Sequence, residues 1–131
     1  MTLDFSLLIP SSSEKIYEKI TDFENFSNYL PLQLQSVKLL QLQDYEGQPI
    51  EKNQLITEET IVSKSVLKTE FIQKSLHTLK HNEIETKILE GPAKGTAINI
   101  CLESKNEQTL VLIKINPVSY THLRAHETDS Y

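Results

Sequence analysis

Apolar and polar positions alternate at the start of the chain, where Leu3, Phe5, Leu7 and Ile9 are separated by Asp4, Ser6 and Leu8. A period of two predicts a half-buried β-strand, stopped at Pro10. The period then changes. Ile16, Tyr17, Ile20 and Phe23 recur at helical intervals, and Ser11 stands three residues before Glu14, the spacing of a capping box. Asp22 is placed to cap a second short helix through Phe23, Phe26 and Tyr29, which Pro31 closes. From Leu34 onward six strand-like segments follow, at about 34–43, 53–62, 65–79, 83–90, 96–104 and 109–115. Turn chemistry separates them: Gly47 with Pro49, Lys80-His81-Asn82, the Gly91-Pro92-Ala93-Lys94-Gly95 run and Lys105-Asn106. Connectors this short predict an antiparallel meander. One strand, two helices and six strands predict an α+β architecture with the helices near 12–29 packed at one end of a single curved sheet.

The last fourteen residues, VSYTHLRAHETDSY, do not share this patterning. They hold the single arginine of the chain, Arg124, and two of its four histidines, after a stretch with twelve lysines. One back-translation of Val118 to Thr128 resembles a transposase-type adapter ligated to DNA fragments in sequencing libraries. The expected division is therefore a domain over residues 1–116 and a non-native tail over 117–131, excluded from fold and function reasoning. On this reading the natural protein continues further.

Composition narrows the function. The chain carries 18 acidic residues against 13 basic ones, a formal charge of −5. A mildly acidic domain without arginine is a poor phosphate binder, which argues against direct nucleic-acid binding. Cys101 is the sole cysteine, so an intrachain disulfide and a thiolate metal cluster are both excluded. The N-terminus has no basic leader, and no apolar run approaches the roughly 20 residues that span a bilayer, so the expected address is the cytoplasm.

The string Ile9-Pro10-Ser11, Glu14-Lys15-Ile16-Tyr17, Thr21-Asp22 and Asn28-Tyr29-Leu30-Pro31, together with the Gly91-Pro92 turn, resembles the START/SRPBCC superfamily. The likeness is to its polyketide cyclase/dehydrase-like and coenzyme Q-binding-like branches, and it covers residues 2–116. It implies the helix-grip fold, in which a hydrophobic ligand is held between a concave sheet and a long C-terminal helix. That helix is missing here, because the foreign tail starts where it would follow.

The candidate site is read mainly from the 65–79 segment. Leu67, Thr69, Phe71, Gln73, Ser75, His77 and Leu79 lack fixed charge, while Lys68, Glu70 and Lys74 take the other face. That pattern suits either a cavity lining or a sheet edge. Ile84, Thr86, Ile88, Thr96, Ile98, Ile100 and Leu102 are further inward positions. The expected ligand-binding set is Tyr29, Leu67, Thr69, Phe71, Gln73, Ser75, His77, Ile98 and Ile100. Tyr29 enters for its place in the short-helix motif, where its hydroxyl could meet a ligand carbonyl or its ring could simply pack.

No catalytic residue is assigned. An imidazole ordinarily titrates near neutrality, so His77 could act as an acid or base, but no carboxylate or nucleophile accompanies it in the pattern. His81 is four residues away, about 13 Å along a strand, too far for a shared zinc ion. Asp22 and Glu24 sit at a helix start, where capping explains them. Lys94-Gly95-Thr96 lacks the order of a phosphate loop. The expected function is carriage of a hydrophobic small molecule such as a lipid, quinone or isoprenoid, with no cofactor and no metal. The alternatives are a cyclase/dehydratase acting on a carbonyl substrate and a module that contacts a chaperone or ribosome.

Overall fold

The structure, a computed structural model, describes residues 2–29, 34–40, 51–64 and 68–117, without the side chains of Tyr29, Ser63, Lys64 and Lys68. The alternating N-terminal stretch forms β1 (Leu3–Ile9), followed by helix α1 (Ser13–Ile20), a 3-10 turn (Phe23–Asn25) and a single-turn helix α2 (Phe26–Tyr29). Six strands complete the fold: β2 (Leu34–Leu40), β3 (Gln54–Lys64), β4 (Lys68–Lys80), β5 (Glu83–Glu90), β6 (Ala97–Lys105) and β7 (Gln108–Asn116). They form one seven-stranded sheet in the order β1-β7-β6-β5-β4-β3-β2, with every pairing antiparallel. The meander expected from the short connectors is therefore present, and β1 closes the chain back onto its last described strand.

Two caps differ from the expectation. Ser12, not Ser11, caps α1, its hydroxyl accepting from the Lys15 amide. Ser11 is instead committed to the sheet: its amide donates to the Ile9 carbonyl, and its own carbonyl accepts the Thr109 hydroxyl at 2.7 Å. Asp22 precedes the 3-10 turn without a side-chain cap, because its carboxylate accepts the Asn25 side-chain amide at 2.7 Å.

Side-chain parity divides the sheet into two faces. The face toward α1 carries Ile9, Leu102 and Val111, with Ile100 and Ile113 beside them, and Ile16 seals this cluster together with Tyr17 and Ile20. Tyr17 also donates its hydroxyl to the Lys80 carbonyl at 2.7 Å, pinning α1 to the end of β4. The 3-10 turn and α2 lie toward the other end, against β2. The β5–β6 connection turns through Gly91 at φ +111° and Gly95 at φ +94°. A Cβ on Gly91 would stand 3.1 Å from the Ile72 carbonyl oxygen and 3.3 Å from the Gln73 Cα, both backbone atoms of β4. Gly91→Ala should therefore cost about 1–3 kcal/mol from conformation alone. Urea unfolding checks this; an unchanged midpoint would show that the turn is not held at this φ.

Candidate functional site

The helix-facing side of the sheet brings together residues from all the long strands. Cross-strand register aligns Phe71 with Ile61, Gln73 with Glu59, Ser75 with Thr57 and Ile88, and His77 with Leu55 and Thr86. The row continues through Ile98 and Ile100 to Ile115 and Ile113, and then to Leu3 and Phe5 of β1. Where α1 covers it, this face is core. Beyond α1 it is open: Leu3, Phe5 and Leu7 remain 41%, 52% and 53% exposed, although they share the face of buried Val111.

The expected site residues fall into three groups. Phe71, Gln73, Ile98 and Ile100 are half-buried on this face, while Ser75 and His77 are fully buried in it. Thr69 is exposed near the start of β4. Tyr29 ends α2 with its side chain outside the described residues, and Leu67 lies outside them altogether. Of the three further positions read as inward on β5, Ile84 and Ile88 are buried and Thr86 is half-buried; Thr96 and Leu102 are buried as well.

His77 is the chemical centre of the buried part. Its Nε2 lies 2.8 Å from the Thr57 hydroxyl and its Nδ1 2.8 Å from the Thr86 hydroxyl, so both ring nitrogens are engaged. The Phe23 ring stacks on the imidazole with centroids 4.1 Å apart and planes 22° from parallel, and Phe26 meets Phe23 edge-on at 5.5 Å. Burial holds the His77 pKa down at about 4, which keeps the ring neutral at physiological pH. The arrangement makes His77 a fixed polar strut beneath the short helices.

Glu59 is the residue that sequence reading missed. It shares the face of Thr57 and Gln73, and its Oε1 accepts the Thr57 hydroxyl at 2.9 Å. Its Oε2 is buried and has no hydrogen-bond partner. Burial pushes the carboxyl above the usual range, partly offset by the Thr57 and Ser75 hydroxyls. Its parity with Leu55, Thr57 and Ile61 was the available signal, obscured by the adjacent Glu58.

Other chemistry is quiet. Cys101 donates its thiol to Asn99 Oδ1 at 3.1 Å, and burial with the neighbouring carboxylates of Glu83 and Glu103 raises its pKa, so it stays protonated and unreactive. Among the described residues no three His, Cys, Asp or Glu side chains gather where they could hold a metal ion. No helix among them is long and apolar enough to cross a membrane. The reverse face of the sheet has a hollow of about 430 Å³ of mixed lining, with Leu76 and Ala97 beside Gln54, Glu85, Lys87 and Lys114, and the sheet separates it from the His77 side chain.

No known family profile matches the chain, and no curated protein matches it significantly in sequence. Solved structures do match in shape. TTHA0849 from Thermus thermophilus superposes with a TM-score of 0.70 at 15% identity, covering 98% of this chain and 85% of that one. The Zhui aromatase/cyclase from Streptomyces sp. R1128 gives 0.72 at 12% identity, over 90% of this chain and 67% of the other. A START superfamily protein from Mycobacterium smegmatis gives 0.61 at 16% identity, over 98% and 89%. The strand order, the paired short helices after β1 and these likenesses agree on the fold: the chain has the α+β helix-grip arrangement that these solved structures share.

Proposed function

We propose that this protein binds a hydrophobic small molecule, of the lipid, quinone or isoprenoid class, on the concave face of its sheet. One observation carries the reading: the apolar stretch of this face from Ile98 and Ile100 through Ile115 and Ile113 to Leu3 and Phe5 is only half covered, and its β1 end is left largely in solvent, while Phe71 and Ile61 form a second apolar patch across the polar Gln73, Ser75, His77 and Thr86. A ligand laid along this face gains about 25 cal/mol for each Å² of apolar surface removed from water. The binding domain in this proposal is residues 1–116. The expected setting is the cytoplasm.

An enzyme of the cyclase/dehydratase kind is the second reading, favoured by the fold shared with an aromatase/cyclase. His77 does not serve it well, since both nitrogens are bonded to threonines and the ring is capped by Phe23. The test is titration with the uncharged dye N-phenyl-1-naphthylamine. Saturable binding is expected, weakened about tenfold or more by Phe5→Ser, the loss expected from one apolar ring contact. Phe5 is exposed, so the variant should fold like the parent. Dye affinity equal to the parent's in both Phe5→Ser and Phe71→Ser would remove the concave face as the site; an empty groove in a chain that instead saturates with a protein partner would favour an interaction module.

A further inference from the structure

The binding reading leaves Glu59 unexplained. A buried carboxyl oxygen without a donor is costly and rare, and the surrounding network says which kind of group is missing. Thr57 has one hydroxyl proton and donates it to Glu59 Oε1. Its 2.8 Å contact with His77 must therefore be donated by the imidazole, which places the ring proton on Nε2. Nδ1 is then an acceptor, filled by the Thr86 hydroxyl at 2.8 Å. Donation runs in one direction across three strands, from Thr86 through His77 and Thr57 to Glu59, and each bond polarises the next. The chain ends on a carboxylate; the Ser75 hydroxyl is near enough to lower its pKa but makes no hydrogen bond to the remaining oxygen, Oε2, which is left as an acceptor.

We propose that Glu59 is the polar anchor of the groove, and that its Oε2 accepts a hydrogen bond from the hydroxyl of an otherwise apolar ligand, an alcohol or a phenol. The proposal rests on the concave-face binding reading and names the ligand's polar end. Position supports it: Glu59 is next on its face to the Ile61–Phe71 pair, so an apolar body on that patch brings its end group toward the carboxyl. Oε2 is closed to solvent here, so a ligand hydroxyl reaches it only by displacing the side chains that cover it. Burial raises the carboxyl pKa, and a ligand hydroxyl donated to Oε2 would lower it again, so binding and ionisation of Glu59 would support each other. A carbonyl ligand would need the opposite arrangement, with a proton on Oε2 and the carboxyl as donor.

The experiment compares 2-naphthol with 2-acetonaphthone, two apolar bodies of similar size that differ in carrying a donor or only an acceptor. Calorimetric titration of the parent chain should show naphthol bound about tenfold more tightly, the worth of one hydrogen bond to a charged acceptor. Glu59→Gln presents an amide N–H in the same shape, so the preference should vanish or reverse. Equal affinities unchanged by Glu59→Gln, or a parent preference for the ketone, would overturn the anchor and leave groove binding intact. Failure of both probes to bind would remove the groove reading and the anchor with it. Should Glu59→Gln not fold, the carboxyl ¹³C signal of Glu59 in the parent decides: it must move with naphthol and stay with acetonaphthone.

Discussion

Phe23→Ala should destabilise the domain by about 3–5 kcal/mol, measured by urea unfolding at neutral pH. Phe23 is 6% exposed, its ring lies flat on His77 and its edge meets Phe26, so truncation empties a site with contacts on two sides. The 3-10 turn that carries it is three residues long and has no side-chain cap, so it gets little stability of its own and cannot close the cavity rigidly. The loss should extend beyond packing. Water would reach the imidazole, and the His77 pKa should rise toward its ordinary value as the desolvation that depresses it is relieved. Phe23→Leu keeps most of the cover and should cost clearly less. A Phe23→Ala variant as stable as the parent would show that the short helices do not seal the polar network at all.

Much of this fold was legible because its signals are local. The alternation of Leu3, Phe5, Leu7 and Ile9 specifies β1 and which of its residues share the helix-facing side, although all but Ile9 stay exposed there; the change to helical spacing at Ile16 specifies α1; and Asn82, Asn106 and Gly91 mark turns that take positive φ. Boundaries were less legible, since they depend on where backbone groups find partners. Ser11 has the spacing of a cap, but Thr109, ninety-eight residues away, takes its carbonyl and moves the helix start to Ser12.

The site was legible only in its parity. Ser75, His77 and Phe71 could be placed on one face of β4 from the pattern of charges, and they lie there. Thr57 and Glu59 were not, because Thr57-Glu58-Glu59-Thr60 reads as a solvated stretch and hides the parity they share with Leu55 and Ile61. What places them is β-sheet register, which sets Thr57 against Ser75 and Glu59 against Gln73. A hydrogen-bond chain crossing three strands is a property of that register, and no single segment encodes it.

Acid should weaken the fold through this same chain. In the folded state the His77 pKa is held at about 4, against an ordinary value of 6.5 for the exposed ring. The unfolded chain therefore binds more protons between these values, and stability is lost as pH falls through that window. The loss should approach about 3 kcal/mol below pH 4, from about 1.4 kcal/mol for each unit of depression. Glu59 acts in the opposite sense. Its folded carboxyl pKa is raised, so protonation favours the folded form and stability is gained as pH falls toward the usual carboxylate range. The two residues share Thr57, and their opposing contributions should be separable by substitution. Urea unfolding at pH 7, 5.5 and 4.5 should show a flatter profile for His77→Gln, whose amide can still bond to both threonines, and a steeper one for Glu59→Gln. In Phe23→Ala the His77 contribution should shrink, because the ring then titrates closer to its unfolded value. If His77→Gln keeps the parent slope between pH 6.5 and 4, the imidazole is not held neutral by burial, and the directed chain ending at Glu59 loses its central link.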